Sequence, residues 1–172
     1  MKHRRIGLAL LLGSLTLILA TAVYSLGRRL PEQPVARIGS AAPVRAYVDA
    51  HGSPRRLPGD RPMLLLAYRE GCKYCLAEFA ALRRNQHAFA GADILLLTTD
   101  HPLGNAEPAD LAALKAAPGV FHGVASPREI FQQFGTQMTP AILIYRRGVL
   151  EARFVGETPI HVLAEALQRT QP

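Results

Sequence analysis

Apolar residues are distributed along this chain in three ways: one long unbroken run near the N-terminus, several short unbroken runs, and stretches where apolar positions recur every three or four residues. Residues 6–26 carry no charged side chain, a run long enough to cross a hydrocarbon core of about 30 Å as a helix. It predicts a membrane helix or a secretory signal, and Ala20-Thr21-Ala22 resembles a small-residue cleavage site. The length of the run favours an anchor over a cleaved signal. Residues 30–43 contain Pro31, Pro34, Gly39 and Pro43 with little periodicity and predict a tether.

From residue 44 onward the pattern alternates between strand and helix. Residues 44–48 and 55–57 flank the turn-rich His51-Gly52-Ser53-Pro54 and predict a small hairpin. The continuous apolar run 63–68 predicts a strand covered on both faces, and residues 93–98, with Gly91 before them and the breakers Asp100-His101-Pro102 after, predict a second buried strand. Between them, Cys72, Cys75, Leu76, Phe79 and Leu82 recur at helical spacing opposite Arg83, Arg84 and Gln86, which predicts an amphipathic helix with that buried stripe. A short helix over 111–116 ends at Pro118-Gly119, and an apolar piece follows at 120–124. Ser126-Pro127-Arg128-Glu129 combines a capping residue, a first-position proline and a capping-box glutamate, so it predicts a helix start, with the end near Gly135. Residues 141–145 and 149–155 predict a second hairpin joined by Arg146-Arg147-Gly148. Thr158-Pro159 opens a last helix whose apolar face is Val162, Leu163, Ala166 and Leu167. The implied architecture is an α/β domain over 44–172, with a central mixed sheet flanked by helices. Segments 1–29 and 30–43 precede it as signal segment and tether.

A net charge of +7 suggests nucleic acid until it is located. Lys2, Arg4, Arg5, Arg28 and Arg29 are five of the 20 basic residues and flank the apolar run without any acid among the first thirty residues, leaving 15 basic against 13 acidic residues elsewhere. The excess belongs to a membrane flank, and no basic cluster interleaved with aromatics marks a nucleic-acid surface. Three basic residues before the run against two after it point to a cytoplasmic N-terminus and an exported domain.

The only two cysteines lie in Cys72-Lys73-Tyr74-Cys75, directly after a predicted buried strand and at the start of a helix. A spacing of three on a helix puts both side chains on one face, near enough for a disulfide. Cys72, facing the unsatisfied N–H groups and positive dipole of a helix N-terminus, is the candidate nucleophile. Cys75, one turn inside, is the candidate resolving thiol. Lys73 adds a positive charge that favours the thiolate if its side chain turns toward the sulfur. Competing readings are weaker. A structural zinc site needs about four ligands, and the histidines show no paired spacing. A disulfide closing so short a loop constrains the unfolded chain little. Two inert core thiols at this spacing after a buried strand would be a coincidence.

These residues resemble the thioredoxin superfamily, and within it the membrane-anchored TlpA/ResA/CcmG type, over residues 38–167. The resemblance is carried by Ile38-Gly39-Ser40-Ala41-Ala42-Pro43, Gly52, the cysteine helix through Glu78-Phe79, the loop Phe134-Gly135-Thr136-Gln137-Met138-Thr139-Pro140, and Gly148 and Gly156. It implies that Pro140 is cis and lies against the sulfurs, that Thr139 offers its backbone to an extended substrate, and that Met138 and Tyr74 border the substrate. It also implies that Glu78 accepts the proton of the resolving thiol, although a helix glutamate is ordinarily solvated; an ordinary strand-edge proline is likewise the plain reading of Pro140. Two departures stand out. Gly71 occupies the position where thioredoxins usually have Trp, and Leu66 falls near their buried aspartate.

The expected function is dithiol–disulfide exchange with exported proteins through Cys72 and Cys75, in the reducing direction, without a dissociable cofactor or metal. The domain would face the periplasm from the cytoplasmic membrane, or be soluble there after signal cleavage, and would be re-reduced by a membrane or periplasmic redox donor. An oxidant or isomerase on the same scaffold, and a non-enzymatic thiol module docking a membrane complex, are the alternatives.

Overall fold

The structure, a computed structural model, describes residues 17–21, 37–43, 47–49, 51–99 and 107–168. Residues 17–21 are helical; the remainder of the run expected to span or enter the membrane lies outside the described residues, as does the Asp100-His101-Pro102 breaker. Among the described residues no helix is long and apolar enough to cross a membrane.

Seven strands form one sheet in the order β2-β1-β5-β4-β3-β6-β7. They are β1 (Tyr47–Val48), β2 (Pro54–Arg55), β3 (Met63–Tyr68), β4 (Asp93–Thr98), β5 (Val120–Val124), β6 (Ala141–Arg146) and β7 (Val149–Val155). Among the described residues of this domain four α-helices accompany them, α1 (Lys73–Arg84), α2 (Ala109–Lys115), α3 (Pro127–Phe134) and α4 (Ile160–Gln168), with a 3-10 helix at Gln86–Phe89. β3, β4 and β5 run parallel, whereas β6 is antiparallel to β3 and β7 to β6. The sheet is therefore mixed, as the alternation of patterns implies.

Strict alternation along the strands splits the core in two. Leu64 and Leu66 of β3, Ile94 and Leu96 of β4, and Ile142 and Ile144 of β6 join a cluster with Cys75, Phe79 and Leu82 of α1, Leu111 and Leu114 of α2, and Leu163 and Leu167 of α4. Met63, Leu65, Leu95, Leu97 and Leu143 face the other way and meet Ile130 and Phe134 of α3. With helices on both faces every position of β3 and β4 is buried, which is why β3 reads as an unbroken apolar run and β4 carries one over 94–97, between the buried polar Asp93 and Thr98. Each fully buried Leu or Ile contributes roughly 1.5–3 kcal/mol through removal from water.

The connections decide where chemistry can sit. Two successive crossovers, β3 to β4 through α1 and β4 to β5 through α2, proceed in one direction and place both helices on one face. α3 then carries the chain back beyond β3, over the opposite face. Because β6 is antiparallel to β3, Ala141 pairs with Ala67, so the loop before β6 and the turn before α1 meet at the same end of the sheet.

Several boundaries differ from the sequence reading. The first hairpin is shorter, with β2 at Pro54–Arg55 rather than 55–57, because few residues there face a core. Gly39 to Ala42, within the stretch read as tether, hydrogen-bond to the β6–β7 hairpin: Gly39 N–H donates to the Leu150 carbonyl (2.7 Å), Leu150 N–H to the Ser40 carbonyl (2.9 Å) and Ala42 N–H to the Gly148 carbonyl (2.6 Å). The helix start at Ser126 carries the full capping box, and Gly135 closes α3 in the left-handed conformation.

Gly123 in β5 is required by a close approach: a Cβ there would lie 2.2 Å from Tyr47 Cδ2 and 2.6 Å from the Val48 carbonyl oxygen. Gly123→Ala is expected to push the first hairpin off β5 and lower stability by about 1–3 kcal/mol. Urea unfolding measures this, and an unchanged midpoint would show that the hairpin yields without cost.

Candidate active site

The site begins in the turn that delivers the chain from β3 to α1. Cys72 N–H donates to the Arg69 carbonyl (3.4 Å), closing a four-residue turn whose third residue, Gly71, has φ +72°. That left-handed geometry favours glycine, which gives a local reason for glycine where the resemblance would place Trp. The edge-to-face contact of Tyr68 with Phe79, 5.0 Å between ring centroids, braces the end of β3 against α1.

Cys72 is the N-cap of α1. Its backbone is extended and its sulfur accepts the Cys75 N–H at 3.3 Å, the place a Ser or Asp oxygen ordinarily fills. The Cys72 thiol in turn reaches the Thr139 carbonyl at 3.7 Å. Both thiols are free. Cys75 is fully buried on the α1 face that packs on the sheet, whereas Cys72 is only partly covered.

The two sulfurs are pushed in opposite directions. Burial acts to raise the Cys72 thiol, but hydrogen bonds from the Cys75 thiol, from the backbone N–H groups of Cys75 and Tyr74 and from Thr139 outweigh it, leaving Cys72 below the ordinary thiol value. Burial pushes Cys75 up to about 12, reinforced by its hydrogen bond to Cys72 and by the charge on that sulfur. Among the described residues no group of three or more His, Cys, Asp and Glu side chains is arranged to hold a metal ion.

Across the gap, the Thr139-Pro140 peptide bond is cis. The loop before it is fixed by the buried Thr136, whose hydroxyl accepts the Met138 N–H and donates to the Met138 carbonyl, both at 3.2 Å. Pro140 is buried, Thr139 is partly exposed, and Met138 and Tyr74 are exposed at the same end of the sheet.

Three expectations need correction or completion. Lys73 does not turn toward the sulfur: its ammonium sits 4.8 Å over the Tyr74 ring, an attraction available without desolvating the charge, and Lys73 is not among the groups acting on Cys72. Leu76, placed on the buried stripe by its spacing, is exposed. It lies one turn beyond Cys72 and faces a cavity of about 930 Å³ at the C-terminal ends of β3, β4 and β5. Glu78 is not a solvated helix carboxylate but is fully buried. Its Oε2 accepts the Thr158 N–H at 3.2 Å, and its Oε1 has no hydrogen-bond partner among the described residues. Burial raises its pKa, the Thr158 N–H opposes this, and the nearby Glu157 charge adds to it. Thr158 was read only as a helix opener; the polar contact it makes with a residue eighty positions earlier leaves no local signal.

No protein-family model matches the chain, and no curated protein matches it. Solved structures do. The described domain is similar to the thioredoxin domain of a thiol-disulfide oxidoreductase from Bacteroides vulgatus, with a TM-score of 0.57 and 18% identity over 76% of this chain and 98% of that one. It is similar to a thio-disulfide isomerase from Thermus thermophilus, with a TM-score of 0.57 and 23% identity over 78% and 96% of the two chains. A peroxiredoxin-like protein from Aquifex aeolicus gives 0.61 at 12% identity, over 79% and 88%. The fold is thioredoxin-like. Different chemistries occupy that scaffold, so activity is argued from the site.

A carboxyl whose pKa is raised in the folded state is more protonated there than in the unfolded chain, so stability falls as pH rises above the unfolded value near 4.5. Glu78→Gln is expected to be more stable than the parent at pH 7 and equal to it at pH 4, by urea unfolding at both values. Equal midpoints at pH 7 would mean that the ionised carboxylate carries no penalty in this position.

Proposed function

We propose that this chain is a thiol–disulfide oxidoreductase that reduces disulfides of exported proteins, from the outer face of a bacterial cytoplasmic membrane to which residues 6–26 anchor it. The observation that carries the reading is the asymmetry of two neighbouring sulfurs. One is partly exposed, caps a helix and is lowered in pKa; the other is buried and raised. A nucleophile must ionise and reach its target, while a resolving thiol must wait.

The Cys72 thiolate attacks a substrate disulfide, forming a Cys72–substrate mixed disulfide and releasing the first substrate sulfur as a thiolate. The extended substrate lies along Thr139 beside cis-Pro140, bordered by Tyr74 and Met138. Once Cys72 is bonded to the substrate, its charge and its role as acceptor are gone, and two of the influences that raise Cys75 vanish with them. Glu78, one turn beyond Cys75 on the same face of α1, accepts its proton. The Cys75 thiolate then attacks Cys72, the Cys72–Cys75 bond forms, and the second substrate sulfur leaves with its electron pair. Two electrons have passed to the substrate, and a membrane or periplasmic dithiol donor restores the pair. No cofactor takes part.

The reducing direction is supported by what surrounds Cys72. Its thiolate is held by neutral hydrogen-bond donors, with the Lys73 ammonium turned to Tyr74. A strong oxidant needs a more heavily stabilised reduced form.

Cys75→Ala should accumulate mixed disulfides on Cys72 in cells, whereas Cys72→Ala should not; equal trapping by both variants would overturn the assignment of roles. In glutathione redox buffers the potential is expected below about −200 mV, and a value near about −120 mV would reverse the direction. A purified domain that exchanges with neither glutathione nor a model dithiol would be a docking module instead.

A further inference from the structure

A relay of hydrogen bonds runs from the cis-proline loop to the buried carboxyl on α1. Gly156 N–H donates to the Pro140 carbonyl (2.8 Å). The Thr158 hydroxyl donates to the Gly156 carbonyl (3.2 Å), and the Thr158 N–H donates to Glu78 Oε2 (3.2 Å). Thr158 is 8% exposed although it lies in the turn between β7 and α4, where side chains are commonly solvated.

The carboxyl is held unevenly. One oxygen is tied to a backbone donor, while Oε1 is buried without a hydrogen-bond partner among the described residues. A buried polar atom left open is costly and calls for a reason. Fixing one oxygen sets the rotation of the carboxyl and leaves the lone pairs of the other for a proton.

We propose that Thr158 is a positioning residue: it ties Glu78 Oε2 to the turn behind cis-Pro140 and so presents Oε1 as the atom that takes the Cys75 proton. This rests on reading Glu78 as the acceptor. In the step concerned, the Cys75 S–H bond breaks and a Glu78 Oε1–H bond forms. The Cys75 sulfur then bonds to Cys72 as the Cys72–substrate bond breaks, and the substrate sulfur leaves as a thiolate.

The hydroxyl is the part that substitution can test, since every residue but proline keeps the N–H. Without the hydroxyl the turn loses its hold on Gly156, and the N–H is no longer fixed on Oε2. Glu157, exposed in the same turn, is the charged neighbour that acts on Glu78, and Cys75 stands one turn before Glu78 on the buried side of α1. The side chains of β3, β6 and α4 in the cluster into which α1 packs are apolar apart from Tyr68 at the end of β3, and Cys72 packs at its edge. A carboxylate that loses its one donor among these neighbours becomes harder to ionise, so the acidic limb of the second step moves to higher pH.

The experiment forms the mixed disulfide of Cys72 with glutathione on the full chain and follows glutathione release by stopped flow across pH. Thr158→Val is expected to resolve roughly two- to tenfold more slowly at neutral pH, the effect of losing one ordinary hydrogen bond. Its acidic limb should lie at higher pH, with attack by Cys72 in the first step unchanged. Thr158→Ser should restore the parent profile, and Thr158→Ala should repeat the loss should valine not fold. A parent-like limb in both the valine and alanine variants, with Glu78→Gln lacking that limb, would overturn the role of Thr158 and leave Glu78 as acceptor. A slowed first step in the folded Thr158 variants would also overturn it, as general damage. An unchanged limb in Glu78→Gln would overturn the acceptor reading itself.

Discussion

A single hydrogen bond, from the Cys75 N–H to the Cys72 sulfur, caps α1 and holds the reactive thiol at once. In most helices the capping atom is an oxygen with no other duty. Here the group that completes the first turn is also the thiol whose pKa is lowered, because its charged form is held by donors that the helix would otherwise leave unsatisfied. When the sulfur enters a disulfide it loses its charge and becomes a poorer acceptor. The redox state of the pair and the quality of the helix start are thereby linked.

The sheet makes this arrangement possible by placing two sequence-distant segments at one end. Parallel β3 delivers the turn of Gly71 and Cys72, and antiparallel β6 starts from Thr139-Pro140 beside it. Behind them, α1 buries Cys75 and Glu78 against apolar strands. The same burial raises both groups. One elementary effect, desolvation of a charged form, therefore acts against ionisation of both the second sulfur and the carboxyl.

The framework was legible in the sequence because its causes are local or periodic. The unbroken apolar run at 63–68 and the shorter one at 94–97, each bounded by turn residues, read as strands covered twice, and Ser126 to Glu129 spelled out a capping box. The cysteine spacing and its place after a strand put both sulfurs at the start of one helix, where the structure has them. What was not legible depended on contacts across the fold. Leu76 has the spacing of a core residue, yet the buried stripe runs through Cys75, Glu78, Phe79 and Leu82 and leaves Leu76 beside it, and only the neighbouring elements reveal the cavity there. Lys73 could face the sulfur or its neighbour, and the ring of Tyr74 decided it. Glu78 looks like any helix glutamate until Thr158, eighty residues on, supplies a donor. Spacing records which residues share a face; it does not record what that face meets.

Gly39 to Ala42 bond to the turn and start of β7, at the far side of the sheet from β5. In the β6–β7 pair Val149 lies beside Arg146 and Val155 beside Ala141, so these three bonds clamp the leading segment of the domain at the end of the hairpin opposite cis-Pro140. The segment that enters the domain is thereby fastened away from the mouth where a partner would meet the sulfurs.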